Sequence, residues 1–214
     1  HVLIDIPLGK TTKAKNKKDA NHLRKMFELI GAKLGMNVIV IITDGSQPIG
    51  NGVGPLLESE DVMAVLRNDP LAPEDLKEKA IKMAGILLEM TGRYRRREGA
   101  KVAREILKSG QALKKMQEII KAQGRQKKFT LGEYRKPVKS GKKGRVKEID
   151  NEIIAKIARM AGAPHDKGSG LFINKKIGDS VKNGELLYTL YAENKFKLDL
   201  AVEFLKKNKG YIIG

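Results

Sequence analysis

Two short runs rich in β-branched residues, Val2 to Ile6 and Asn37 to Thr43, enclose a stretch in which Ala20, Leu23, Phe27, Ile30 and Leu34 recur every three or four positions. That alternation of periods is the pattern of a βαβ unit, strand, amphipathic helix and parallel strand. Pro7 and Gly9 punctuate the first strand, and Gly35 stops the helix. The second run is almost continuously apolar, which predicts a parallel sheet covered on both faces. A right-handed crossover sets the loops after Ile6 and after Thr43 along the carboxyl edge of the sheet, where open α/β folds bind ligands.

Downstream, Asp44 to Gly54 holds four Gly and one Pro in eleven residues, a loop too long for a plain turn. Helical periodicity follows over 59–67, 73–91, 101–109 and 111–123. The longest of these opens on Pro73, Glu74 and Asp75, and Leu76, Ala80, Met83, Ala84, Leu87 and Leu88 give it one apolar face. The stripes Val102/Ile106 and Leu113/Met116/Ile120 predict core positions. Residues 124–140 are too charged to build a core and read as a basic linker. Beyond them, strands at 144–149, 171–176, 185–191 and 211–213 alternate with helices at 151–160 and 197–207. The expected fold is therefore α/β: a partial parallel sheet with covering helices over 1–123, then a small β-rich α+β, barrel-sandwich-like domain over 141–214. The second domain is expected to fold alone, with 1–123 the weaker part.

Composition narrows the chemistry. Among 214 residues there is no Cys, which excludes disulfides, thiolate zinc sites and a cysteine nucleophile. No apolar run approaches the roughly 18 residues of a membrane span, so a soluble, cytoplasmic protein without a membrane partner is expected. The net charge of +18 is concentrated: Lys10 to Lys18, Arg93 to Arg97 and Lys121 to Lys147 hold 20 basic residues and one acid, while the remainder is nearly neutral. Only Tyr94, Phe129 and Tyr134 lie in these clusters. Sparse aromatics disfavour nucleic acid as the partner and favour solvated loops with an anionic small-molecule site. His1, His22 and His165 fall in a terminus, a helix surface and a turn, without the spacing of a metal or catalytic pair.

Val2 to Gly9, Ile41 to Gly50 and Gly54 to Glu58, in that order, resemble the thymidine/pyrimidine-nucleoside phosphorylase family. Its members carry a V-x-D-x-x-x-G loop and an I-T-D-M-x-Q-P-L-G signature followed by G-N-A-L-E. The prolyl and lysine-rich variants here are most similar to the archaeal branch, the AMP phosphorylases. Ala161 to Gly170 resembles the A-G-A-P-x-D-K-G-x-G turn of the family's C-terminal domain. The resemblance implies phosphorolysis: phosphate attacks the ribosyl C1′ through an oxocarbenium-like transition state, and the base leaves. A nucleoside 5′-monophosphate such as AMP would yield the free base and ribose 1,5-bisphosphate. It further implies phosphate and that nucleotide as partners, no redox cofactor, and a homo-oligomer paired through a helical domain. The family's phosphate-binding K-x-S-x-G-G loop and base-holding residues have no counterpart here, so the chain reads as the C-terminal region of a longer enzyme, silent alone and without catalytic residues of its own. The rival from another class is a noncatalytic basic RNA-binding or assembly module, which salt-sensitive binding of unstructured RNA would reveal.

Two residue sets carry roles implied by the resemblance. Nucleoside-specific members read G-S-G-A-F after the first strand, and their Phe aligns with Lys13. With Lys10 and Lys15, a cation there suits a substrate bearing a 5′-phosphate; a solvated basic loop accounts for the same residues. Bacterial members also hold a structural monovalent cation, K+, on backbone carbonyls and a carboxylate. These positions fall on Ile49, Gly52 and Asp61, where Asp is one methylene shorter than the family's Glu. Asp5 reads either as a group that orders a loop through backbone N–H groups or as a plain strand-end residue.

Overall fold

The computed structural model describes residues 1–124 and 128–214. Residues 125–127, part of the stretch read as a linker, lie outside the described residues. The elements run β1 (Val2–Leu8), α1 (Lys17–Lys33), β2 (Val38–Asp44), β3 (Gly52–Val53), α2 (Pro55–Leu66), α3 (Glu74–Met90), α4 (Gly99–Lys108), α5 (Gln111–Ala122), β4 (Tyr134–Lys139), β5 (Gly144–Ile149), α6 (Asn151–Met160), β6 (Gly170–Ile173), β7 (Ser180–Val181), β8 (Leu186–Ala192), α7 (Lys195–Lys207) and β9 (Tyr211–Ile213). The chain is mixed α/β and divides into two compact units. One holds His1–Gly45 and the stretch from Met63 through α5; the other holds Ser46–Val62 and the chain from 128 to Gly214.

In the first unit β1 and β2 pair in parallel from Val2↔Val38 to Leu8↔Asp44, as a sheet of two strands. β1 runs past Ile6, where the sequence suggested an end. Pro7 is tolerated because each strand of such a sheet is an edge. α1 opens on Asn16, whose Oδ1 accepts the Asp19 N–H at 3.0 Å. Its apolar side reaches the sheet at Ala20 and Leu23, against Ile6 and Val40. Farther along the helix Phe27, Ile30 and Leu34 are exposed, as is Ile39 of β2. The expected apolar cover on both faces is thus absent among the described residues, because Ala14 and the first turns of α1 supply the buried apolar contacts of this cluster from outside the sheet.

α3 and α4 build a second cluster around Val65, Ile81, Ala103 and Leu107. Their backbones meet at two glycines: a Cβ on Gly99 would stand 2.0 Å from the Gly85 carbonyl oxygen. The buried residues of α3 are Ile81, Gly85 and Met90. Ala80, Ala84 and Leu87 of the expected apolar face instead line an open groove of ≈ 430 Å³. α5 buries none of its residues, so the Leu113/Met116/Ile120 stripe is not core.

In the second unit an antiparallel sheet of order β3-β6-β8-β4 accompanies a three-stranded sheet of order β7-β5-β9. The core joins Val146, Ile149, Ile154, Ile157, Leu171, Ile173, Leu187 and Leu190 around Tyr188. Tyr188 stacks on Tyr211 with ring centroids 5.6 Å apart. Their hydroxyls donate to the carbonyls of Lys209 at 2.9 Å and Lys175 at 2.8 Å, and burial pushes both phenols far above their usual range.

β4 lies inside the residues read as a basic linker. It pairs with β8 from Tyr134↔Ala192 to Lys139↔Leu186. Val138 is its one buried side chain, and Pro137 occupies an edge, so charge hides the strand from a reading of apolar alternation. The second unit also takes in Ser46–Val62, where the sequence suggested a contiguous domain from 141. β3 joins β6 through a close approach of glycines. Gly54 (φ +124°) and Gly170 (φ +154°) each leave no room for a side chain, a Cβ on Gly170 falling 2.2 Å from the Val53 oxygen.

Candidate functional site

The first candidate lies in the first unit, where β1 gives way to α1. Lys10, Lys13 and Lys15 are all exposed on a turn fixed from within. The Gly9 N–H donates to the Ala14 carbonyl at 3.2 Å, and the Thr12 hydroxyl lies 2.9 Å from the Gly9 oxygen and 2.8 Å from that of Ala14. Ala14 is buried beneath it. The loop after β2 crosses the same place: the Gly45 N–H donates to Leu8 at 2.9 Å, and a Cβ on Gly45 would stand 2.8 Å from Thr12 Cγ2. The loops after β1 and β2 therefore meet at the carboxyl edge, as the crossover argument requires. Three ammonium groups on a fixed turn at such an edge suit a phosphate dianion.

Asp5 sits in mid-strand opposite Ile41, not at a strand end. Its carboxylate accepts from the Thr43 hydroxyl at 2.7 Å and pairs with Lys79 at 2.5 Å, while Lys79 also donates to Thr43 Oγ1 at 3.2 Å. This closed triad ties both strands to α3; its partners are side chains, so Asp5 does not order a loop through amides. Lys79 and Thr43 carried no sequence signal for this role.

The second candidate is the Ser46–Val62 segment of the second unit. Asp61 is 7% exposed, and its Oδ2 accepts the N–H groups of Asn51 at 2.6 Å and Gly52 at 2.7 Å. Gly52 and Asp61 are thus brought together, through an amide. Ile49 lies exposed in the same loop. Glu58 Oε1 accepts the Gly54 N–H at 2.9 Å, which starts α2 at Pro55, four residues before the periodicity suggested. Gln47 Oε1 accepts the Ile177 N–H at 2.7 Å, and the Asn51 carbonyl accepts the Ile173 N–H at 2.7 Å. Lys176 Nζ donates to the carbonyls of Pro48, at 2.7 Å, and Gly50. The Q-P-I-G stretch is therefore a seam sewn to the segment after β6. Gln47 was visible in the motif without a role; Lys176, 126 residues from Gly50, had no local signal at all.

Elsewhere His165 Nδ1 lies 3.2 Å from Asp166, whose carboxyl is held below its usual range by the hydrogen bond from Lys197 at 2.6 Å and, less, by His165. Among the described residues no group of three His, Asp or Glu side chains could hold a metal ion. Nor does any helix among them have the length and apolarity to cross a membrane.

Residues 145–211 match the family model of the pyrimidine nucleoside phosphorylase C-terminal domain. The chain is similar to pyrimidine nucleoside phosphorylases. It is 46% identical over 215 residues to a Methylococcus capsulatus protein named "Putative thymidine phosphorylase", covering 100% of this chain and 42% of that protein. Proteins of the same name from Bradyrhizobium sp. strain BTAi1 and Legionella pneumophila strain Corby are 48% and 43% identical, over 99% and 100% of this chain and 42% and 41% of theirs. The chain thus spans about two-fifths of the length of the curated relatives it matches. These relatives are bacterial, and the name they carry is that of a thymidine phosphorylase and not of an AMP phosphorylase.

Proposed function

We propose that this chain is the C-terminal region of a phosphorylase that cleaves the N-glycosidic bond of a nucleoside 5′-monophosphate. Inorganic phosphate forms a bond to C1′, the bond from C1′ to the base nitrogen breaks, and the base departs with a proton; AMP would give adenine and ribose 1,5-bisphosphate. The reading of a longer enzyme is supported by the 42% coverage of a relative and by the uncovered apolar faces of α1 and α3. The choice of a nucleotide rests on one observation, the exposed Lys10, Lys13 and Lys15 on a turn that Thr12 and Ala14 hold rigid. Rigidity matters because a contact to phosphate gains most when the turn that bears it is already ordered. A second reading, phosphorolysis of thymidine, is favoured by the names of the relatives.

The test is base release by the full-length gene product from AMP and from thymidine, with and without phosphate. Phosphate-dependent release from AMP supports the first reading, and release from thymidine alone supports the second. Lys13→Phe sharpens it. A charge-assisted contact is worth about 1.5–3 kcal/mol, so kcat/KM for the 5′-monophosphate should fall about tenfold to a hundredfold while that for the free nucleoside is spared. Equal small losses on both substrates would return Lys13 to a solvated loop and remove the ground for preferring a nucleotide.

A further inference from the structure

We propose that Gly45 and Thr12 act as a positioning pair that sets where the basic turn presents Lys10, Lys13 and Lys15 to the 5′-phosphate of a substrate. Gly45 is buried, and an added Cβ would stand 2.8 Å from Thr12 Cγ2, 2.9 Å from Pro7 Cβ and 3.3 Å from the Leu8 nitrogen. Its φ lies outside the left-handed region, so space and not backbone conformation calls for glycine here. Pro7 is paired with Thr43 in the sheet, and its ring fixes φ. Neither Pro7 nor the Leu8 backbone can step aside, which leaves Thr12 as the neighbour that would have to give.

Thr12 cannot give cheaply. Its hydroxyl lies 2.9 Å from the Gly9 oxygen and 2.8 Å from that of Ala14, and its N–H donates to the Gly9 carbonyl at 3.2 Å. Rotating χ1 to withdraw the methyl carries the hydroxyl away from both carbonyls, because the two groups share one Cβ. The side chain that closes the turn is therefore the one that rests on Gly45. The Gly45 N–H donates to the Leu8 carbonyl at 2.9 Å, so the contact is held from the β2 side as well. A side chain at position 45 either opens the turn at Thr12 or lifts it away, and both displace the lysines it carries while β1 and β2 stay paired. The motifs that these two stretches resemble distribute bulk the other way: I-T-D-M has Met where Gly45 stands, and G-S-G-A-F has Ala where Thr12 stands. The reversed arrangement occurs here together with the lysines. The inference rests on the reading of those lysines as the contact to a 5′-phosphate, and it adds the two residues that place them.

The experiment measures KM for AMP and KM for inorganic phosphate with the full-length gene product, its Gly45→Ala variant and the double variant Gly45→Ala/Thr12→Ser. KM is the readout because a misfolded fraction lowers kcat and leaves KM alone. Gly45→Ala should raise KM for AMP about tenfold and keep KM for inorganic phosphate within about twofold. Thr12→Ser removes the methyl and keeps the hydroxyl, so the double variant should recover part of the loss, with Pro7 still crowding the new Cβ. An unchanged KM for AMP, an equal rise for both substrates, or a double variant no better than Gly45→Ala would each overturn the inference. Should Gly45→Ala not fold, Thr12→Val decides, since it keeps the shape that rests on Gly45 and removes the hydroxyl that closes the turn. A rise in KM confined to AMP supports the inference, and no rise or an equal one overturns it. Lys13→Phe separates the inference from the reading beneath it. If Lys13→Phe raises KM for AMP and Gly45→Ala does not, the inference alone falls. If AMP is not cleaved, or Lys13→Phe leaves its KM unchanged, the reading falls and takes the inference with it.

Discussion

The two units are written in the same residue alphabet and pack very differently. The ten largest side chains buried to below 2% exposure include Tyr188, Ile154, Leu171 and Leu190, and every one of the ten belongs to the second unit. In the first unit the residues buried that far are the small ones, Ala14 and Ala20. Both units have β-branched strands and amphipathic helices, so pattern alone does not separate them. What separates them is closure. The second unit sets sheets of four and three strands and two helices around one core, whereas the first divides its burial between the α3–α4 cluster and a two-stranded sheet with α1, whose apolar stripe runs out into solvent at Phe27, Ile30 and Leu34. Because burial free energy scales with the area removed from water, at about 25 cal/mol per Å², an element that meets no second layer contributes little however apolar it is.

The contrast makes a strong prediction about cavities. Leu190, in the middle of the four-stranded sheet and fully buried, should cost about 3–5 kcal/mol as Leu190→Ala, measured by denaturant unfolding. Leu107→Ala, in the first unit beside an open groove, leaves a site that can relax or admit water, and should cost about 2 kcal/mol. Equal costs would mean that closure does not distinguish the units. A smaller effect tests the one place where the first unit is tightly fitted. Gly99→Ala drives a Cβ against the Gly85 backbone, which cannot rotate away, and should cost about 1–3 kcal/mol by thermal unfolding monitored through helical circular dichroism. Thr43→Val comes next, at about 1 kcal/mol, because it removes the hydroxyl's hydrogen bond to Asp5 and the longer one it accepts from Lys79 while leaving the Asp5–Lys79 pair.

Local period was a good guide to elements and a poor one to partners. The runs at Val2 and Asn37 became β1 and β2, and the glycine stop at Gly35 fell at a helix end, since these are decided by neighbours within a few residues. β4 was invisible because five of its six side chains escape burial, leaving Val138 as the sole apolar signal. β3 and β7, two residues each, have too little length for any period. The candidate sites divide the same way. Lys10, Lys13 and Lys15 are legible as a basic loop, but the hydrogen bonds of Thr12 within its turn and the close approach of Gly45 to Thr12, far apart in sequence, are not. Asp61 is legible through resemblance alone, and its actual partners, two amides ten and nine residues earlier, follow from the fold of the loop.

Acid should blur the contrast between the units, with the smallest of the expected effects. Three carboxyls are held below their usual range by neighbouring cations: Asp166 by Lys197 and Glu185 by Lys175 in the second unit, and Glu78 by Arg104 in the first. A carboxyl whose folded pKa lies below its unfolded one binds fewer protons when folded. Its contribution is complete above the unfolded value near pH 4 and is lost as pH falls through the folded value. Stability should thus be flat above about pH 5 and decline below about pH 4 in both units. The declines should differ in size. Asp166, with its side chain 13% exposed, is shielded from water, so Asp166→Asn should flatten the acid limb by about 1 kcal/mol. Glu78 and Arg104 meet at 2.6 and 2.8 Å in a bidentate pair, yet both are more than 40% exposed, and solvent screening should keep the effect of Glu78→Gln under about 0.5 kcal/mol. Raising the salt concentration should erase the Glu78 contribution first, because counterions reach an exposed pair more readily than a covered one. An acid limb that Asp166→Asn leaves unchanged would show that the fold of the second unit does not draw on that pair.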